Sequence, residues 1–162
     1  MSPQFARVRS LLMHPIKYRL FLFSKLPMAF LAGLRITELD ESKCTIFVKY
    51  RWLNTNPFAS MYFAVQAMAA EMSTGVLCLA NIHGRKPGCS MLVVQMEAQF
   101  QKRVTGYVHF TCADGAAAQA AINKAIETGE SQTIVMRSEG INDKGEVAAV
   151  FQITWSFKAK GK

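Results

Sequence analysis

Residues 59–80 form a run of 22 in which Glu71 is the only charged side chain and Ala, Met and Leu dominate. These are helix formers, and no face of the resulting helix is polar, so the run predicts a helix buried on all sides. The polar group Asn54-Thr55-Asn56-Pro57 bounds it upstream, and Asn81 with the loop 83–88 bounds it downstream. A helix of this kind has to be wrapped by the rest of the chain. With 162 residues, 51% hydrophobic and 19% charged, the chain can build one such core and is too apolar for disorder.

The wrapping reads as strands. Residues 34–52 alternate, with Cys44, Ile46, Val48, Tyr50 and Trp52 on one face and Thr45, Lys49 and Arg51 on the other, after a polar turn at Asp40-Glu41-Ser42-Lys43. That is the pattern of a hairpin. Residues 91–101 and 107–112 are strand candidates joined through the tight segment 102–106. Residues 114–127 form an Ala-rich helix, with Asp114 as N-cap and Gly129 as its stop. Residues 132–139 and 147–158 close the chain as a second hairpin through Asn142-Asp143-Lys144-Gly145. Its last strand alternates Val147, Ala149, Phe151, Ile153, Trp155 and Phe157. The expected class is α+β: a hairpin, a long buried helix, then four antiparallel strands with one outer helix.

Ahead of this, residues 1–37 carry Arg7, Arg9, Lys17, Arg19, Lys25 and Arg35 and no acidic residue before Glu38. The apolar runs 20–23 and 28–34 are shorter than the roughly 20 residues a bilayer span needs, and Pro15 and Pro27 interrupt them. Two short amphipathic helices packed on the domain are expected over residues 1–33, with residues 34–162 as the main domain. Docking on a membrane surface is the alternative for the same segment. The formal charge of +8 favours an anionic partner. Nucleic acid has no motif to support it.

Cys44, Cys78, Cys89 and Cys112 are dispersed, without a C-x-x-C pair, and His14, His83 and His109 are equally scattered. A reduced, cytoplasmic protein without a metal site is expected. No nucleophile elbow, phosphate loop or dinucleotide fingerprint is present.

Glu71 is the only carboxylate between Glu41 and Glu97, and its neighbours are Met68, Ala69, Ala70 and Met72. An unpaired charge in such surroundings is costly unless it is neutralised or partnered. Two readings follow. Glu71 is a core residue held by Arg51 or by Ser73 and Thr74, or it is a general base or nucleophile at a cleft.

From about Leu34 onward the chain resembles the hotdog-fold acyl-CoA thioesterases of the phenylacetate-type branch and their uncharacterised relatives. Members of that family place an Asn before the long helix, a His-Gly-Gly at its start, a carboxylate nine residues after the His and a Gly four residues later. Asn56, Tyr62-Phe63-Ala64, Glu71 and Gly75 fall at those spacings, with Tyr62 standing for the His and Phe63 and Ala64 for the glycines. Lys102-Arg103, Asp143-Lys144-Gly145 and Ala148-Ala149 match later features of the pattern.

The resemblance implies a hotdog fold and hydrolysis of an acyl-CoA or acyl-carrier thioester, with coenzyme A only as part of the substrate. It implies Glu71 as base or nucleophile, the Phe63 backbone N–H as carbonyl donor, Asn56 as a substrate or water contact, and Ser90 as a water-orienting hydroxyl. Tyr62 is expected either to donate its hydroxyl or to pack at the helix start. Arg85, Lys86, Lys102 and Arg103 are the expected phosphate contacts. Nine residues of helix place Tyr62 and Glu71 on opposite faces, so the implied site needs a homodimer, or a dimer of dimers, with two interfacial sites. A non-catalytic acyl-ligand binder, and a hydratase acting on acyl thioesters, are the alternatives on the same fold.

Overall fold

In the computed structural model, which describes residues 2–161, prolines open the first three helices: α1 (Pro3–Leu12), α2 (Pro15–Lys25) and α3 (Pro27–Ala32). Met1 and Lys162, the outer bounds of the two expected parts of the chain, lie outside the described residues. Proline suits a first helical position because its missing N–H has no partner there and its φ is already helical. Three helices stand where two were expected. Leu26, the residue before Pro27, is forced out of the helical region (φ −138°, ψ 62°) and breaks the segment.

Strands β1 (Arg35–Leu39) and β2 (Cys44–Lys49) follow as an antiparallel hairpin. Then come the long helix α4 (Phe63–Ile82), β3 (Cys89–Phe100), β4 (Tyr107–Cys112), α5 (Gly115–Thr128), β5 (Gln132–Asn142) and β6 (Val147–Ala159). One six-stranded antiparallel sheet results, in the order β1-β2-β4-β5-β6-β3. It curls round α4 in the hotdog arrangement. The expected alternation on β6 holds from Ala149 through Phe151, Ile153, Trp155 and Phe157, all buried, but not at its start, where Ala148 is buried and Val147 half-buried beside a register shift against β5.

Three local features depart from the sequence pattern. The helix starts at Phe63 rather than at residue 59, because the Asn56 side-chain oxygen accepts from the Phe58 and Ser60 amides at 2.9 and 3.3 Å and folds residues 56–60 into a loop. Met61 and Tyr62 are then pinned in extended form by the Val104 and Asn54 carbonyls, both at 2.8 Å. Trp52 leaves the strand face for a single 3₁₀ turn and is 85% exposed. Finally, β3 and β4 are not neighbours: residues 101–106 cross from one edge of the sheet to its interior, and β3 pairs with β6 alone.

Helix α4 is enclosed by the sheet, by α5, and by α1 and α3 on the side the sheet leaves open. By length and composition it would suit a membrane crossing, yet it is the core helix of this fold. Its short polar side chains are paired inside the core. Ser73 bonds the Ala70 carbonyl and Ser138, Thr74 receives the Trp155 indole N–H at 2.9 Å, and Asn81 donates to Leu77 O. A chain of edge-on aromatic contacts runs from Phe110 through Phe151 and Phe100 to Phe63, with centroids 5.6, 5.6 and 6.2 Å apart. It ties the core to the first residue of α4.

Phe110 sits over its cross-strand partner Gly140, where a Cβ would lie 2.5 Å from the ring. Gly140→Ala is therefore expected to displace a fully buried ring and lower stability by about 1–3 kcal/mol in chemical denaturation. Wild-type stability in this variant would contradict the packing described.

Candidate functional site

Two cavities lie along α4, and they share no residue. The first, about 430 Å³, opens at the helix start and is lined by residues of the 56–63 segment, by Gln66, and by Phe100 to Val104. The Phe63 and Ala64 amides are the first donors of α4 and have no hydrogen-bond partner among the described residues. They carry the partial positive charge of the helix N-terminus. Tyr62 is the N-cap residue and half exposed, with its ring against that of Phe63 at 4.9 Å. Asn56 lines the cavity wall, but its side chain is engaged within its own loop and with Ser60.

Lys102 and Arg103 reach the same cavity. Lys102 pairs with Glu146 at 3.6 Å, and Arg103 donates to the Phe58 carbonyl, bracing the loop. Arg85 and Lys86 lie beyond the other end of α4, where the Arg85 Nε donates to Asn81 O. The fold of one chain does not bring these two basic pairs together.

Gln66 escaped the sequence reading. One helical turn after Tyr62, it lines the helix-start cavity while only 5% exposed, and its Oε1 has no hydrogen-bond partner among the described residues. Its spacing from Tyr62 was the available signal, since residues four apart share a helix face. Gln66, with its orphaned acceptor, and Phe63, with its free amide donor, both line this cavity.

The second cavity, about 160 Å³, belongs to Glu71. Its walls are apolar: Leu12 from α1, Tyr18, Phe21 and Leu22 from α2, Met72 and Val76 from α4, and Met91 from β3. The N-terminal helices thus roof the carboxylate. The Tyr18 hydroxyl bonds the Leu34 carbonyl at 3.3 Å and Met72 Sδ at 3.4 Å, fixing α2 in place. Gly75 leaves room for the side chain: a Cβ there would lie 3.0 Å from Glu71 Oε1 and 3.2 Å from the Trp155 ring.

None of the structural partners expected for Glu71 reaches its carboxylate. The Arg51 guanidinium donates to the Leu31 carbonyl instead, Ser73 turns to Ala70 and Ser138, and Thr74 donates to the backbone carbonyl of Glu71 and accepts from Trp155. Ser90 does not face the cavity either. Side chains alternate along β3, so Met91 points in while Ser90 is exposed and donates to the Lys158 carbonyl at 3.1 Å.

Burial alone raises the Glu71 pKa above its ordinary 4.5. The protonated form is then favoured in the folded protein. The stabilisation this gives is fully present below the ordinary value and is lost as pH rises through the folded value. Thermal stability of wild type relative to Glu71→Gln is accordingly expected to fall as pH rises from about 4 toward 8. A difference that is flat or rising across that range would mean the carboxylate has a partner.

The family described as a domain of unknown function (DUF4442) matches residues 18–157. No curated protein matches the chain. Among solved structures, the chain is similar to a Pseudomonas aeruginosa protein of unknown function described as a probable thioesterase: 18% identity, 93% of this chain and 99% of that one covered, TM-score 0.75. It is also similar to a Chlorobaculum tepidum protein of unknown function at 16% identity, with 93% and 99% covered and a TM-score of 0.75. A thioesterase from Haemophilus influenzae aligns at 15% identity, with 86% and 88% covered and a TM-score of 0.62. The family match takes in the helix that carries Glu71, α2 from Tyr18 onward and strands from every position in the sheet, and the chain belongs to that family, the domain of unknown function DUF4442.

Proposed function

We propose that this chain is a thioester hydrolase acting on an acyl-CoA or acyl-carrier thioester at a site shared between two copies. The observation that carries the proposal is Glu71: a carboxylate lining an apolar cavity, without a cation or hydrogen-bond donor among the described residues, on the helix whose N-terminus offers free amides. Similarity to structures described as thioesterases supports the same reading. The spacing of Asn56, Glu71 and Gly75 favours the phenylacetate-type branch within that class.

In this mechanism Glu71 takes a proton from water as the oxygen attacks the thioester carbonyl. The Phe63 N–H holds the developing oxyanion, and the C–S bond then breaks as the thiolate takes the proton back. A pKa raised by burial makes the ionised Glu71 a stronger base than an ordinary carboxylate, which suits a group that accepts and then returns a proton. Direct attack by the carboxylate, with water releasing the acyl group from Glu71 afterwards, uses the same residues.

Phe63 and Glu71 are separated by eight residues, about 12 Å along one helix, so one chain does not offer both to one carbonyl. Two α4 helices lying antiparallel do. The 12-residue edge strand β3 exposes Leu92, Val94 and Met96 and is free to pair with a second copy. Lys102 and Arg103 serve the substrate phosphates at the cavity mouth, with Arg85 and Lys86 contributed from the partner's end of the antiparallel pair. The exposed hydroxyl of Ser90 and the engaged side chain of Asn56 have the weaker claims on the chemistry.

Glu71→Gln keeps shape and hydrogen-bonding capacity and removes the base. Across a panel of acyl-CoA and acyl-carrier substrates, kcat is expected to fall roughly 10²-fold or more in a variant that melts no lower than wild type. Full turnover in a stable Glu71→Gln would end the catalytic assignment. Binding of acyl-CoA by wild type without turnover would make the chain an acyl-ligand binder.

A further inference from the structure

Helix α2 turns two faces outward and inward that are both apolar. Tyr18 and Leu22 are buried over Glu71, while Ile16, Leu20 and Phe23, spaced four and three residues apart, form a stripe on the opposite side with 65, 63 and 65% of their surface exposed. The stripe continues onto α3 through Met28 and Leu31, which are 64 and 50% exposed. Phe23 meets Phe30 edge-on at 5.5 Å, which joins the two helices into one surface. Lone exposed apolar residues are ordinary, but a contiguous patch marks a partner.

The charges around the patch say which partner. Lys17 and Arg19 flank the stripe and Lys25 closes the helix, with the Arg19 guanidinium 5.7 Å from the Phe30 ring. No acidic residue occurs before Glu38 to offset them. Two copies meeting through this face about a two-fold axis would set these cations against their own kind. A bilayer interface satisfies both features at once, with anionic headgroups for the cations and the acyl boundary for the stripe.

We propose that the outer face of α2 and α3 docks on an anionic membrane surface. This does not depend on the thioesterase reading, since binding is measured without turnover.

The test is co-sedimentation of the full chain with phosphatidylcholine vesicles, and with vesicles in which phosphatidylglycerol replaces part of the lipid. Wild type is expected to pellet with the anionic vesicles alone, and less so as salt is added. Lys17→Gln/Lys25→Gln should weaken partitioning roughly fivefold for each cation removed. Leu20→Ser/Phe23→Ser should abolish it, with circular dichroism unchanged because both positions lie outside the core. Wild type left in the supernatant, or Lys17→Gln/Lys25→Gln pelleting as wild type does, would overturn the proposal. So would a smaller sedimenting species of Leu20→Ser/Phe23→Ser without vesicles, which would assign the face to contact between copies.

Discussion

Burial of α4 is the condition on which everything else in this molecule rests. A twenty-residue helix with no polar face is stable only where protein replaces water on every side. The curled sheet supplies most of that cover, α5 lies alongside, and α1 and α3 close the side that the sheet leaves open, with α2 over Glu71. Core packing of this kind tolerates buried polar atoms only when they are paired, and Ser73, Thr74 and Asn81 comply. Glu71 and Gln66 do not. Gln66 is buried with its Oε1 unpaired among the described residues, Glu71 is half-buried with no hydrogen bond or ion pair to its carboxylate among them, and each lines a cavity along α4. These two are the polar groups on which the proposed site rests.

Much of this was legible in the residues. Period-two alternation located β2 and β6, the uninterrupted apolar run located α4, and the solitude of Glu71 singled it out before any contact was known. What stayed hidden was decided by contacts distant in sequence. The start of α4 depends on the Asn56 side chain competing for the Phe58 and Ser60 amides, and on carbonyls of Asn54 and Val104 reaching Met61 and Tyr62. Strand order cannot be read from local pattern either: β3 and β4 are adjacent in sequence and apart in the sheet, because residues 101–106 cross over. The family resemblance singles out Ser90 as a water-orienting hydroxyl, whereas the pleat of β3 turns it outward beside the inward Met91.

The basic N-terminal segment shows how one helix can serve two solvents. Its inner face, with Tyr18 and Leu22, sets the low dielectric around Glu71, and its outer face presents Ile16, Leu20 and Phe23 to whatever lies beyond. Loosening α2 would therefore wet the carboxylate and bring its pKa back toward the ordinary value, even though no residue of α2 bonds to it. The same eleven residues thus cover the carboxylate on one side and carry the exposed apolar stripe on the other.

The central claim is that one site is assembled from the helix start of one copy and Glu71 of another, and a mixed dimer tests it most directly. Phe63→Pro deletes the amide donor at a first helical position, where proline is tolerated, and Glu71→Gln deletes the base. Each variant alone is predicted to be inactive in thioester hydrolysis. Unfolded and refolded together, they form hybrids in which one of the two sites is wild type at both positions, and activity should return to roughly a quarter of the wild-type level. Two inactive variants that stay inactive when mixed, with hybrid dimers demonstrably formed, would contradict the shared site.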